Sequence, residues 1–107
     1  MKTYFLVFSN PLDGKEAEYT EWYTKVHLHE VVRVKGFKSA QLFQLTNEQP
    51  NEQQSHKYVA LYEIENEDVG GTIQRFNAAV PTMRLDPVVD VASVKMSVFQ
   101  SVSDAVK

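Results

Sequence analysis

The segment Trp22–Glu30, WYTKVHLHE, holds the side chains best suited to moving a proton. On a helix Tyr23, His27 and Glu30 stand at i, i+4 and i+7 and share one face. An imidazole titrates near neutral pH, and a carboxylate beside it fixes its tautomer and favours its charged form. Such a pair suits a general acid or base, and a phenol on the same side adds a donor for a ligand oxygen. The spacing leaves a plainer reading open, in which His27 and Glu30 hydrogen-bond each other and the free carbonyls of the last helical turn. A metal site fits worse, because His27 and His29 point about 200° apart on a helix and cannot close on one ion. The zinc-protease order of two histidines four apart is also absent. His29 is expected on the outer flank and His56 in a polar loop, both as surface residues. No glycine-rich phosphate loop follows a strand, and no serine nucleophile elbow is present.

The elements that must position this segment are legible from periodicity. Lys2–Ser9 contains Tyr4, Phe5, Leu6, Val7 and Phe8 without a polar break, the pattern of a strand buried on both faces. Asp13 as N-cap with Glu16 three positions on predicts a capping box, with Leu12 and Ala17 as its staple. The helix so opened runs from Gly14 to about Val32–Val34 and stops at Gly36. Its core stripe is Tyr19, Trp22, Tyr23 and Val26. Phe37–Leu45 and Lys57–Ile64 read as strands, joined by the polar loop Thr46–Ser55, whose length predicts a mobile tip. Tyr58, Ala60, Tyr62 and Ile64 share one face of the third strand. A second helix is expected near Asp68–Ala79, with Val69, Ile73, Phe76 and Val80 at helical spacing. Gly70 and Gly71 together cost it about 2 kcal/mol relative to alanines, which predicts a frayed or late start. Pro81 and Pro87 bracket a loop, and Val88 to about Val102 alternates as a last strand, bent or bulged.

The order β-α-β-β-α-β is that of a ferredoxin-like α+β domain, a four-stranded antiparallel sheet with two helices on one face. Those helices cover one face only, so either Tyr4, Leu6 and Phe8 or Phe5 and Val7 would meet water in a monomer. The expected remedy is a homodimer packed through the sheet face.

Composition narrows the function classes. The 107 residues carry a formal charge of −3, 43% apolar residues and no cysteine. This is the make-up of one globular domain spanning 1–107. Disulfides, thiolate metal sites and a cysteine nucleophile are excluded. A net negative charge offers no footprint for nucleic acid, and KYVALYEIE lacks the glycine and basic residue of an RNA-recognition strand. No run approaches the roughly 18 apolar residues of a membrane span. Lys2 precedes a short mixed run rather than a signal peptide's apolar region, so the expected location is the cytoplasm.

An opening strand ending FSNP, the aromatic pair Trp22-Tyr23, then His27, Glu30, Gly36-Phe37 and Tyr62-Glu63 occur in an order that resembles the EthD-like family of the dimeric α+β barrel superfamily. His29 and Lys35 stand where that family commonly has proline, so the helix is expected to run further than in relatives. The resemblance implies a ferredoxin-like protomer, a dimer formed through the sheets, and a pocket between sheet and helices. Superfamily members include cofactor-free monooxygenases, polyketide cyclases, muconolactone-type isomerases and haem-degrading proteins, and fold alone does not choose among them. The combined expectation is a cofactor-free, metal-free protein that binds a small apolar or aromatic metabolite. His27 would act as general acid or base oriented by Glu30, Tyr23 and Tyr62 would position a ligand oxygen, and Trp22 would line the site. The alternatives are a non-catalytic binding or accessory module and a haem protein with an axial histidine.

Overall fold

The computed structural model describes residues 1–51 and 53–107. In chain order it contains β1 (Thr3–Pro11), α1 (Glu16–Trp22), a π-helical turn (Tyr23–His27), α2 (Leu28–Val32), β2 (Phe37–Gln44), β3 (Tyr58–Ile64), α3 (Val69–Ala79) and β4 (Val89–Gln100). Short 3₁₀ turns, Asn66–Asp68 and Val80–Thr82, flank α3. The strands form one sheet in the order β2-β3-β1-β4, with each neighbouring pair antiparallel. This is the expected ferredoxin-like α+β architecture.

Directly paired residues of antiparallel strands share a face. Phe5 pairs with Tyr62 and Val7 with Ala60, and all four are buried beneath Tyr19, Trp22, Tyr23, Val31 and Phe76 of the helical layer. Phe5, Phe37, Tyr62 and Phe76 interlock, the tightest pair being Phe5 and Phe76 with ring centroids 5.1 Å apart. Each such ring contributes on the order of 1.5–3 kcal/mol through burial alone. The opposite face presents Tyr4, Leu6, Phe8, Val59 and Leu61, only half-buried, beside exposed Phe43 and Phe99.

Several local expectations are corrected. Lys15, not Asp13, occupies the cap of α1 and makes no side-chain cap bond. Glu16 is engaged elsewhere, accepting a hydrogen bond from the Tyr58 hydroxyl at 3.1 Å and facing Lys57 Nζ at 4.0 Å. Leu12 and Ala17 are both exposed and form no staple. The α3 helix starts crisply at Val69, because the Asp68 carboxylate accepts the Gly71 N–H at 3.0 Å. A Cβ on Gly71 would push that carboxylate out of its capping position. Gly36 stops α2 as expected, with φ +107° and Thr72 packed where a Cβ would stand. The expected irregularity of β4 is a register shift opposite Phe8–Asn10, where Ser93 Oγ accepts the Asn10 N–H at 2.8 Å. His56 is not a plain surface residue, because its Nε2 bonds the Ser93 carbonyl at 2.7 Å and its ring lies against Phe8. The loop Thr46–Ser55 includes Glu52, which lies outside the described residues.

Candidate functional site

The helix that carries the proton-moving side chains is not regular. Within the π turn the Leu28 N–H bonds the Tyr23 carbonyl, five residues back. Residues five apart stand about 140° from each other on an ideal α-helix and do not touch. The wider turn brings Trp22 and His27 into register, and their rings stack at 4.6 Å with an interplanar angle of 18°. Tyr23 meets the same imidazole edge-on at 5.3 Å. The sequence pattern gave no warning of this turn, which π-bulges commonly place at functional sites.

Glu30 stands one turn further on. Its Oε1 lies 3.6 Å from His27 Nδ1, beyond hydrogen-bond length. Both atoms are buried and have no hydrogen-bond partner among the described residues. The other oxygen, Oε2, accepts the Arg84 backbone N–H at 2.9 Å. Trp22 Nε1 donates to the Arg84 carbonyl at 2.8 Å. The Arg84 backbone of the α3–β4 connection is thus fastened through both its N–H and its carbonyl to the helix that carries His27. The Arg84 guanidinium in turn holds both Asp86 oxygens at 2.9 Å. Sequence reasoning missed this connection, because its partners lie 54 and 62 residues away along the chain.

Burial lowers the His27 pKa from its ordinary 6.5, and the nearby Glu30 carboxylate only partly opposes this. The expected preference for the charged form is therefore reversed, since desolvation outweighs the ion pair. The imidazole is held neutral at neutral pH, and Nε2 makes no hydrogen bond to any described residue. Burial also pushes Tyr23 up to about 12, so its phenol keeps its proton.

His27, Trp22 and Tyr23 form one wall of a cavity of about 410 Å³. Val7 and Ser9 of β1 form the floor, and Val89, Val91, Val94 and Met96 of β4 form the far side. Phe76, Val80 and the segment Leu85–Pro87 close the remainder. The lining is mostly apolar, with His27, Asp86, Ser9 and the Tyr23 phenol as its polar members. A concavity of about 330 Å³ beside Phe8, Phe43 and His56 lies across the sheet. It is a weaker candidate, since both nitrogens of its one imidazole are already bonded.

Of the anticipated residues, Trp22, Tyr23 and His27 come together at this cavity. Glu30 stands behind His27 rather than on the lining. Tyr62 is corrected: it is 1% exposed and absent from the cavity wall, sitting in the aromatic core behind Tyr23. Its hydroxyl has no hydrogen-bond partner among the described residues, and burial raises its pKa well above the ordinary value. The pairing of Tyr62 with Phe5 at the sheet's centre explains the placement. His29 is exposed, as expected. Among the described residues no three His, Asp or Glu side chains cluster as metal ligands, and no helix is long and apolar enough to cross a membrane.

A family model described as Domain of unknown function (DUF4286) matches residues 3–84. The chain belongs to this family. No curated protein matches it in sequence. This DUF4286 member is similar in structure to an EthD family protein from Bacillus halodurans, with a TM-score of 0.62 at 8% identity, over 94% of this chain and 99% of that one. It is also similar to SnoaB, a cofactor-independent oxygenase from Streptomyces nogalater, with a TM-score of 0.56 at 13% identity, over 95% of this chain and 94% of that one. At such identities the likeness is one of fold. The resemblance to EthD-like proteins read from the sequence holds at that level. In DUF4286 terms, the matched span covers β1 through Arg84, and therefore every residue of the His27 wall.

Proposed function

We propose that this protein binds a small, largely apolar or aromatic metabolite in the cavity beside His27 and that His27 acts on it as a general base. The observation that carries this reading is a half-buried imidazole on the wall of an apolar hollow, backed by a carboxylate near Nδ1, where burial lowers its pKa. With the Nδ1 proton toward Glu30, Nε2 offers its lone pair to a ligand. After it takes a proton, the imidazolium charge develops beside the Glu30 carboxylate, which favours that state. The Tyr23 phenol can donate to the oxygen on which negative charge collects. The reaction class is proton transfer next to a carbonyl, leading to isomerisation, cyclisation or lactone chemistry. That SnoaB is a cofactor-independent oxygenase supports the idea that this fold can do chemistry with side chains alone.

The test has two stages. Binding of 2-naphthol should change the emission of Trp22, the sole tryptophan, and Val94→Phe, which fills the cavity, should abolish the change. A panel of aryl ketones and lactones is then followed by NMR for exchange of the α-proton with deuterated water. His27→Ala should lose about 10²–10⁴ of any acceleration, the usual worth of a positioned base. Binding without accelerated exchange would favour a non-catalytic ligand-binding module. Exchange untouched by His27→Ala would overturn the base assignment.

The protein acts, on this reading, as a homodimer through the sheet face opposite the helices. The support is the apolar row Tyr4, Leu6, Phe8, Val59, Leu61 and Phe43 on that face. Light scattering at micromolar concentration should give twice the chain mass, and a monomer would remove the claim.

A further inference from the structure

The cavity beside His27 is lopsided in charge. Asp86 is the one carboxylate on its lining, and no lysine or arginine joins it there among the described residues. That carboxylate is held in place. The Asp86 carbonyl accepts the Val88 N–H at 2.8 Å, and the Arg84 guanidinium grips both carboxylate oxygens at 2.9 Å. Arg84 does so from outside the hollow, since its side chain is 65% exposed, against 27% for Asp86, and lines a separate surface groove. A carboxylate oxygen accepts more than one hydrogen bond, so each Asp86 oxygen keeps room for a second donor. Trp22 ties this acceptor to the base. Its ring stacks on His27 at 4.6 Å, and its N–H donates to the carbonyl of Arg84, two residues before Asp86.

The polar substituents a ligand could bring differ in cost. A carboxylate would lose its water beside Asp86, and the imidazole that could answer it already faces Glu30 at 3.6 Å. An ammonium group would enter a mostly apolar site where Arg84 already offsets the one negative charge. A neutral hydroxyl carries neither cost and gains a charge-assisted hydrogen bond. We propose that Asp86 selects the ligand: the cavity takes neutral carbonyl compounds bearing a hydroxyl whose O–H donates to the Asp86 carboxylate, and it turns away carboxylates and amines. This rests on the cavity being the ligand site, and it names the substrate class for the proton transfer assigned to His27. Arg84 is a positioning residue that orients the acceptor without touching the ligand.

Isothermal titration calorimetry of the intact protein at neutral pH tests it with a matched set of 2-acetylnaphthalenes. They carry hydrogen, hydroxyl, carboxylate or aminomethyl on the distant ring. The hydroxyl compound should bind about tenfold tighter than the parent, and both charged compounds about tenfold weaker than the parent. Asp86→Asn should erase the hydroxyl advantage and strengthen carboxylate binding, because Arg84 is then free to meet it. Asp90→Asn removes the same charge from a residue off the lining and should leave the order unchanged. A charged compound binding as tightly as the hydroxyl one would overturn the proposal. So would a hydroxyl compound no tighter than the parent, or an advantage that survives Asp86→Asn. Should none of the compounds bind, the ligand site falls and the proposal with it. The expected order together with α-proton exchange untouched by His27→Ala would uphold the proposal and remove only the base assignment.

Discussion

Over β2 and β3 the helix-facing side of the sheet is filled with rings. Phe5, Phe37 and Tyr62 sit there with exposures of 8% or less, and none of them lines the cavity. Over β4 the same side stays open. Its inward residues are short or flexible, Val94 and Met96, and Met96 is 51% exposed. The helical layer does not collapse onto them, because the α3–β4 connection is held at the Arg84 N–H and carbonyl by Glu30 and Trp22. One face of one sheet is thus solid in one half and hollow in the other. Side-chain volume decides which half carries the fold and which is left for a ligand.

The comparison breaks most visibly under truncation. Phe5→Ala in the solid half should cost about 3–5 kcal/mol, as other buried phenylalanine truncations do. Met96→Ala in the hollow half should stay within about 0.5 kcal/mol, the usual range for surface sites. Urea unfolding of the two variants measures both, and equal losses would mean that the two halves are packed alike.

Next in size is the fastening of the cavity wall. Glu30→Ala removes the acceptor of the Arg84 N–H at an exposed position, which should cost about 0.5–1.5 kcal/mol. Hydrogen exchange at the Arg84 amide should accelerate, and Glu30→Gln, which keeps an acceptor oxygen, should restore most of the protection.

The smallest effect sharpens the picture of His27. Its folded pKa lies below the 6.5 of the unfolded chain. Between those two values the unfolded state binds more protons, so stability rises with pH through that window. On acidification it should fall from about pH 6.5 downward and then level once the folded pKa is passed, with His27→Phe flattening that segment. Urea midpoints across the acid range check the slope.

Much of this was legible in the chain because the relevant signals are local. Alternation in β1 and β3, the helical stripe of α1, and Gly36 as a stop all act within a few residues. The i, i+3 spacing of His27 and Glu30 predicted their proximity, and the aromatic pair beside them predicted the wall. What escaped depends on distant partners. The π turn has no signature at 3.6-residue spacing, and the capping box failed because Tyr58 and Lys57 compete for Glu16. Tyr62 looked like a ligand contact, yet its register opposite Phe5 buries it. Pro81 and Pro87 mark Leu85 and Asp86 only as loop, although an apolar residue in a short connection is a usable sign of a wall.

The most direct measurement is an NMR titration of the His27 ring, performed on the free protein and again with 2-naphthol bound. A midpoint below 6.5 that shifts on binding is the expected result. A midpoint at or above the ordinary value, indifferent to the ligand, would contradict a neutral imidazole facing an open cavity.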